Sequence, residues 1–152
     1  MTSSAISATQ EWKELHSGAQ IGILEISGVD NAHPAPTLAA HKRFVEQKLR
    51  QSYAGFSRKD FLELPAMAAY HRYYKQFEKT YHVLLQLESI VLKGKSLPDV
   101  SPLVDVCFLA EMETLVLTAS HDADRLKPPL LIDSTRSGDR FTRMGGELKM
   151  LP

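Results

Sequence analysis

Apolar positions recur at helical spacing through the middle of the chain and give way to short, strand-like runs on either side. Between Pro36 or Thr37 and about Tyr53, the residues Leu38, Val45, Leu49 and Tyr53 share one stripe, with proline at the opening turn and Gly55 as the stop. Ser57 precedes a short turn, RKDFLEL, with Asp60 three residues on in a capping-box position. A helix from Pro65 to about Lys79 places Ala66, Tyr70, Tyr73, Tyr74 and Phe77, and then Tyr81, on one face and Arg72, Lys75 and Lys79 on another. The next helix, Val83 to Lys93, carries Leu84, Leu87 and Val91 inward and ends at Gly94, after which Leu97-Pro98 leads the chain away. Ser101 caps a further helix that has Pro102 in its first position and buries Val104, Cys107 or Phe108, Met112 and Leu115.

The flanks read differently. Thr9 opens a short helix, QEWKELH, with Trp12 and Leu15 facing inward, and Gln20 to Ser27, bounded by Gly18 and Gly28, reads as a mostly buried strand. Val29 to Pro36 is a loop. After Leu115, three short runs read as strands: Val116 to Thr118, Leu130 to Ile132, and Glu147 to Leu151. Ser137-Gly138-Asp139 and Gly145-Gly146 supply turns. The expected class is α+β, with helices packed on a mixed, mainly antiparallel sheet, in a single domain over residues 1–152. A strand with no successor before Pro152 leads us to expect C-terminal strands beyond the sequence.

With 43% hydrophobic and 24% charged residues over 152 positions, the chain is composed like an ordinary globular protein. No run of eighteen apolar residues predicts a membrane span, and the N-terminus lacks the basic start and apolar stretch of a secretory signal, so a cytoplasmic location is expected. The one cysteine, Cys107, reads as a small buried hydrophobe. Eighteen basic residues balance eighteen acidic ones, but unevenly. From His41 to Lys95 eleven Lys/Arg meet five Asp/Glu, a balance of +6, and the remainder carries −6. Such a field is compatible with an RNA backbone as partner. Basic residues interleaved with aromatics around Arg72 and Lys75 offer phosphate neutralisation and base stacking, although aromatics at that spacing are more often core.

Catalytic signals are sparse. His121, Asp122 and Asp124 form the densest group of ligand types, yet neighbours in one loop rarely close a metal site, and Asp122 reads better as a turn cap; no metal or cofactor is expected. Asp105 sits in the first turn of its helix, where the dipole favours a carboxylate. Glu88 and Glu111 lie near apolar faces and are expected to be partly buried. Tyr81-His82 reads as a packing or capping pair, and no Ser–His–Asp order is present.

The ordered string TYHVLLQLESIVLKGKSLPDVSPLVDVCFLAEMETLVLTASHDAD, preceded by LPAMAAYHRYYKQF, resembles the B3/B4 domain, the tRNA-binding and editing domain of the phenylalanyl-tRNA synthetase beta subunit that also occurs as stand-alone proteins. The diagnostic pieces are the lysine/glycine turn, leucine-proline and proline-valine-aspartate helix start of Lys93 to Asp105, and the aspartate corner His121 to Asp124. The similarity runs from about Leu64 to Gly146. It departs from the family at Ser101, Cys107, Phe108, Ala119 and Ser120, and the family's pocket-walling strand and glycine-rich loop would lie beyond Pro152. The resemblance implies a B3/B4-like fold and tRNA as partner, with hydrolysis of misacylated tRNA in trans left open. It nominates Arg72, Lys75, Lys93 and Lys95 for backbone contacts and Asp105, His121 and Asp122 as polar groups of a pocket. The alternatives are a non-catalytic module for a small ligand or protein, or a truncated remnant.

Overall fold

The structure is a computed structural model and describes residues 6–142 and 146–151. Its class is α+β: among the described residues there are six α-helices and two small sheets. The chain divides into two compact units, one formed by Met1–Glu25 with His121–Pro152, the other by Ile26–Ser120.

The second unit, Ile26–Ser120, is helical among its described residues. It comprises α2 (Pro36–Ser52), α3 (Arg58–Glu63), α4 (Pro65–Lys75), α5 (His82–Val91) and α6 (Pro102–Thr114). Local signals account for most boundaries. Proline stands at the start of α2, α4 and α6, where a missing N–H costs nothing. The Asp60 carboxylate accepts the N–H and the hydroxyl of Ser57, each at 2.7 Å, completing the expected capping box. Gly94 takes φ +65°, the left-handed conformation that ends the α5 segment. Ser101 stands at the N-cap of α6 in extended geometry, but contrary to expectation its side chain makes no capping hydrogen bond.

The core lies where α2 packs on α5 and α6, α5 on α6, and α3 on α4. Val45, Phe61, Met67, Val83, Leu84, Leu87, Ile90, Leu109 and Met112 are buried there. The predicted stripes of α2 and α5 hold: Val45, Leu49, Leu84 and Leu87 are buried, with Leu38, Tyr53 and Val91 packed against them. On α6 Leu109 and Met112 are the buried apolar residues, while Val104, Cys107 and Phe108 are half-buried. Tyr81, sandwiched with Tyr70 at 4.2 Å between ring centres, donates its hydroxyl to the Leu115 carbonyl at 3.2 Å. Leu115 there adopts φ +60°, a left-handed helix end held by a non-glycine residue.

The first unit contains β1 (Ile6–Ala8), α1 (Gln10–Leu15), a 3₁₀ turn (Ala123–Arg125), β2 (Leu130–Ile132), β3 (Arg140–Thr142) and β4 (Leu148–Met150). β1 pairs with β2 in parallel, Ile6 opposite Leu130, and β3 pairs with β4 antiparallel, Arg140 opposite Met150. Thr9 knits the first ladder to α1: its hydroxyl accepts the Trp12 N–H at 3.1 Å and donates to Asp133 at 2.6 Å. The turn at Ser137–Asp139 is present, with Gly138 at φ +88°. Gly145 of the second predicted turn lies outside the described residues.

Other expectations fail as well. Gln20 to Ser27 forms no strand, and Ile23 and Leu24 are exposed, because among the described residues no neighbouring strand offers its backbone a ladder. Val116 to Thr118 is also unpaired: Tyr70 takes the Leu117 N–H at 3.2 Å and Glu111 takes the Thr118 N–H at 3.0 Å, so side chains satisfy what a strand would have. Leu15 faces outward, with Trp12 the half-buried residue of α1.

Candidate functional site

Charged side chains along α2 grip the KGKSLPDV segment. Lys42 is buried, and its ammonium donates to the Pro98 carbonyl at 2.5 Å, to Asp99 at 2.6 Å and to Asp105 at 2.7 Å, satisfying all three N–H bonds. Burial works to lower the pKa of this ammonium, but the hydrogen bonds and charges of Asp105 and Asp99 outweigh it, so Lys42 sits above its ordinary value. Asp99, exposed, is held below its ordinary value by the Lys42 hydrogen bond. The second oxygen of Asp105 accepts the Val100 N–H at 3.0 Å.

One turn along, buried Glu46 takes the Leu97 N–H and the Arg43 guanidinium, both at 2.7 Å. Another turn along, Arg50 donates to the carbonyls of Ile90 at 3.1 Å, Gly94 at 3.3 Å and Lys95 at 2.9 Å. Residues 42, 46 and 50 are spaced by four, so they line one face of the helix. The turn that presents Lys93 and Lys95 is thereby fixed along its length, and both lysines are exposed.

A second basic group stands on and just after α4. Arg72, Lys75 and Lys79 are exposed. Between them Tyr73 and Phe77 meet edge to face at 5.3 Å, 44% and 56% exposed. Sequence spacing put both rings on the inner face. The buried face instead centres on Met67, Tyr70 and Tyr74, from which Tyr73 is turned by about 100°. Phe77 leaves helical phase because α4 ends at Lys75. The lysines and arginines of ion pairs in this unit are Lys42, Arg43, Arg50 and Arg58. Arg72, Lys75, Lys79, Lys93 and Lys95 enter none among the described residues.

The nominated pocket residues fall in different units. Asp105 belongs to the helical unit, buried, with both oxygens engaged as above. His121 and Asp122 belong to the other unit and are exposed. Asp122 caps the 3₁₀ turn by accepting the Asp124 N–H at 3.1 Å and lies 3.3 Å from Arg125, the turn-capping role its sequence suggested. Among the described residues no three His, Cys, Asp or Glu side chains stand close enough to hold a metal ion. Glu88 and Glu111 are buried as anticipated, each with its own partner: Arg58 at 2.8 Å for Glu88, and for Glu111 the Thr118 hydroxyl at 3.1 Å and His82 at 3.5 Å.

His82 also borders a cleft of about 360 Å³ between α5 and the segment Ser96–Pro98, with Leu85, Gln86 and Ile90 in the helix wall. Burial pushes the phenols of Tyr81 and Tyr74 above their ordinary range.

Sequence reasoning missed Lys42, Glu46, Arg50 and Gln86. For Lys42 there was a signal: it interrupts the series 38, 42, 45, 49 at a position where an apolar residue belongs. Among the described residues no helix is long and apolar enough to cross a membrane. Compared with known proteins, the chain matches no family model, no curated sequence and no solved structure.

Proposed function

We propose that the helical unit binds RNA, with tRNA as the partner and the B3/B4 tRNA-binding domain as its relative. The observation that carries this reading is the α4 surface, where two exposed aromatic rings sit among three basic residues that enter no ion pair among the described residues. Exposed rings give bases a stacking platform, and the cations neutralise phosphates; together they are the recurring elements of single-strand recognition. The clamped Lys93–Lys95 turn supports the same reading. Cations on a pre-ordered turn lose little conformational entropy on binding, whereas mobile lysines lose more.

Hydrolysis of misacylated tRNA is a separate claim. Ester hydrolysis by such a site needs a shaped pocket and a positioned water rather than a nucleophilic triad. Incubation with tyrosine-charged phenylalanine tRNA tests it: deacylation above the buffer rate supports an editing activity, and a rate equal to buffer restricts the protein to binding.

Binding is tested by titrating tRNA at salt concentrations from 50 to 200 mM. With five phosphate contacts the logarithm of affinity should fall with the logarithm of salt at a slope of about −3.5 to −4.5, from roughly 0.7–0.9 per contact. Tyr73→Ala and Phe77→Ala should weaken single-stranded RNA binding while leaving that slope unchanged. Affinity indifferent to salt overturns the reading.

A further inference from the structure

We infer that the cleft between α5 and Ser96–Pro98 receives one unstacked base of the bound RNA, and that Gln86 hydrogen-bonds its edge. This rests on the RNA-binding reading and adds the site at which a base, rather than a phosphate, is held.

The fold elsewhere satisfies its buried polar groups with care. All three N–H bonds of the Lys42 ammonium are used, and Glu46, Glu88, Asp105 and Glu111 each have partners. Against that background, the Gln86 side-chain oxygen is buried with no hydrogen bond, the one such side-chain atom among the described residues of this unit. A buried unpaired acceptor destabilises the fold, and such atoms in native proteins call for an explanation. Gln86 lines the cleft, and a half-turn about its terminal torsion, which exchanges the amide oxygen and nitrogen, breaks no hydrogen bond of the oxygen.

The cleft suits a flat heterocycle. Its volume lies at the small end of ligand sites, and Leu85, Ile90, Leu97 and Pro98 offer apolar surface to ring faces. His82, 3.5 Å from buried Glu111, adds a polar group to the lining. The second wall is rigid, since Glu46 holds the Leu97 N–H and Lys42 the Pro98 carbonyl. It also continues directly from Lys95, so a strand whose phosphates meet the basic turn passes the cleft. Every nucleobase carries an N–H on its pairing edge. A lone acceptor therefore predicts base binding with little preference among bases, the behaviour of stacking-based sites.

The test compares the wild-type protein with Gln86→Leu and Ser96→Trp, using a single-stranded RNA oligonucleotide and an abasic oligonucleotide of the same length. Gln86→Leu removes the unpaired acceptor, so the free protein should melt higher by about 2–4 °C. The same change should weaken the base-bearing oligonucleotide about tenfold and leave the abasic one and the salt slope unaltered. Ser96→Trp, which fills the cleft while leaving the Gln86 amide in the protein, should reproduce the tenfold loss. A Gln86→Leu protein that melts lower, or variants that bind both oligonucleotides as the wild type does, overturns the cleft assignment. Salt-dependent wild-type binding that is equal for the two oligonucleotides overturns it as well, while leaving phosphate binding intact. Absence of salt-dependent binding to either oligonucleotide overturns the RNA reading beneath it.

Discussion

Replacing Lys42 by methionine tests the α2 clamp most severely. The side chain is 1% exposed and its partners are unequal: Asp105 is buried, whereas the Asp99 side chain is 78% exposed. Without the ammonium, Asp99 returns to water, but Asp105 is left as a buried carboxylate with a single N–H donor, and the Pro98 carbonyl loses its partner. Stranding one member of a buried pair costs about 3–5 kcal/mol. The helix N-terminus and the Val100 N–H soften the loss here, so we expect about 3 kcal/mol for Lys42→Met, or roughly 6–12 °C in Tm at this size. The double variant Lys42→Met with Asp105→Leu should recover most of that, since apolar replacement of a buried pair is often near neutral. Urea unfolding at pH 7 of both single variants and the double variant gives the coupling energy, with a parallel cycle on Asp99. Strong coupling to Asp105 and much weaker coupling to Asp99 is the expected result. A Lys42→Met protein within about 0.5 kcal/mol of wild type, the range of ordinary surface changes, would refute the reasoning.

Acid should act on the same cluster: Asp99 is depressed in the folded state, so its contribution is present above the unfolded carboxylate value near 3.9 and is lost as pH falls through the lower folded value. Lys42 is raised, so its contribution persists at and below its unfolded value near 10.4 and is lost only as pH rises through the folded one; the contributions of Asp99 and Lys42 should be flat between these limits when stability is measured against pH. Arg50→Gln should release the Lys93–Lys95 turn and accelerate hydrogen exchange at the Lys95 amide, which is bonded to the Ser89 carbonyl at 2.9 Å. Tyr81→Phe should cost about 1 kcal/mol in urea unfolding, because the Leu115 carbonyl loses its hydroxyl donor.

The helices were legible because their signals are local. Proline at the first turns of α2, α4 and α6, the Ser57–Asp60 box and Gly94 each act within a few residues, and the stripes of α2 and α5 follow from spacing alone. What spacing cannot report is the partner across the fold. Lys42 meets Asp105 from 63 positions away and Pro98 from 56, so a buried lysine looked like one more basic residue in a positive stretch. Gln20 to Ser27 has strand composition, but a strand exists only where another offers hydrogen bonds. Tyr73 and Phe77 were misjudged because their orientation depends on where α4 stops, and helix ends are the least legible feature of a periodic pattern. Asp105, nominated as a pocket group, is engaged by Lys42 from the same distance, a contact its sequence surroundings cannot show.

The central claim is that Arg72, Lys75, Lys79, Lys93 and Lys95 meet phosphate. Salt titration of tRNA binding by the wild-type protein and by a variant carrying Lys93→Gln and Lys95→Gln tests it directly. If both lysines contact phosphate, the slope should become shallower by about 1.4–1.8, at roughly 0.7–0.9 per contact. A variant that binds with the wild-type slope and affinity would contradict the claim.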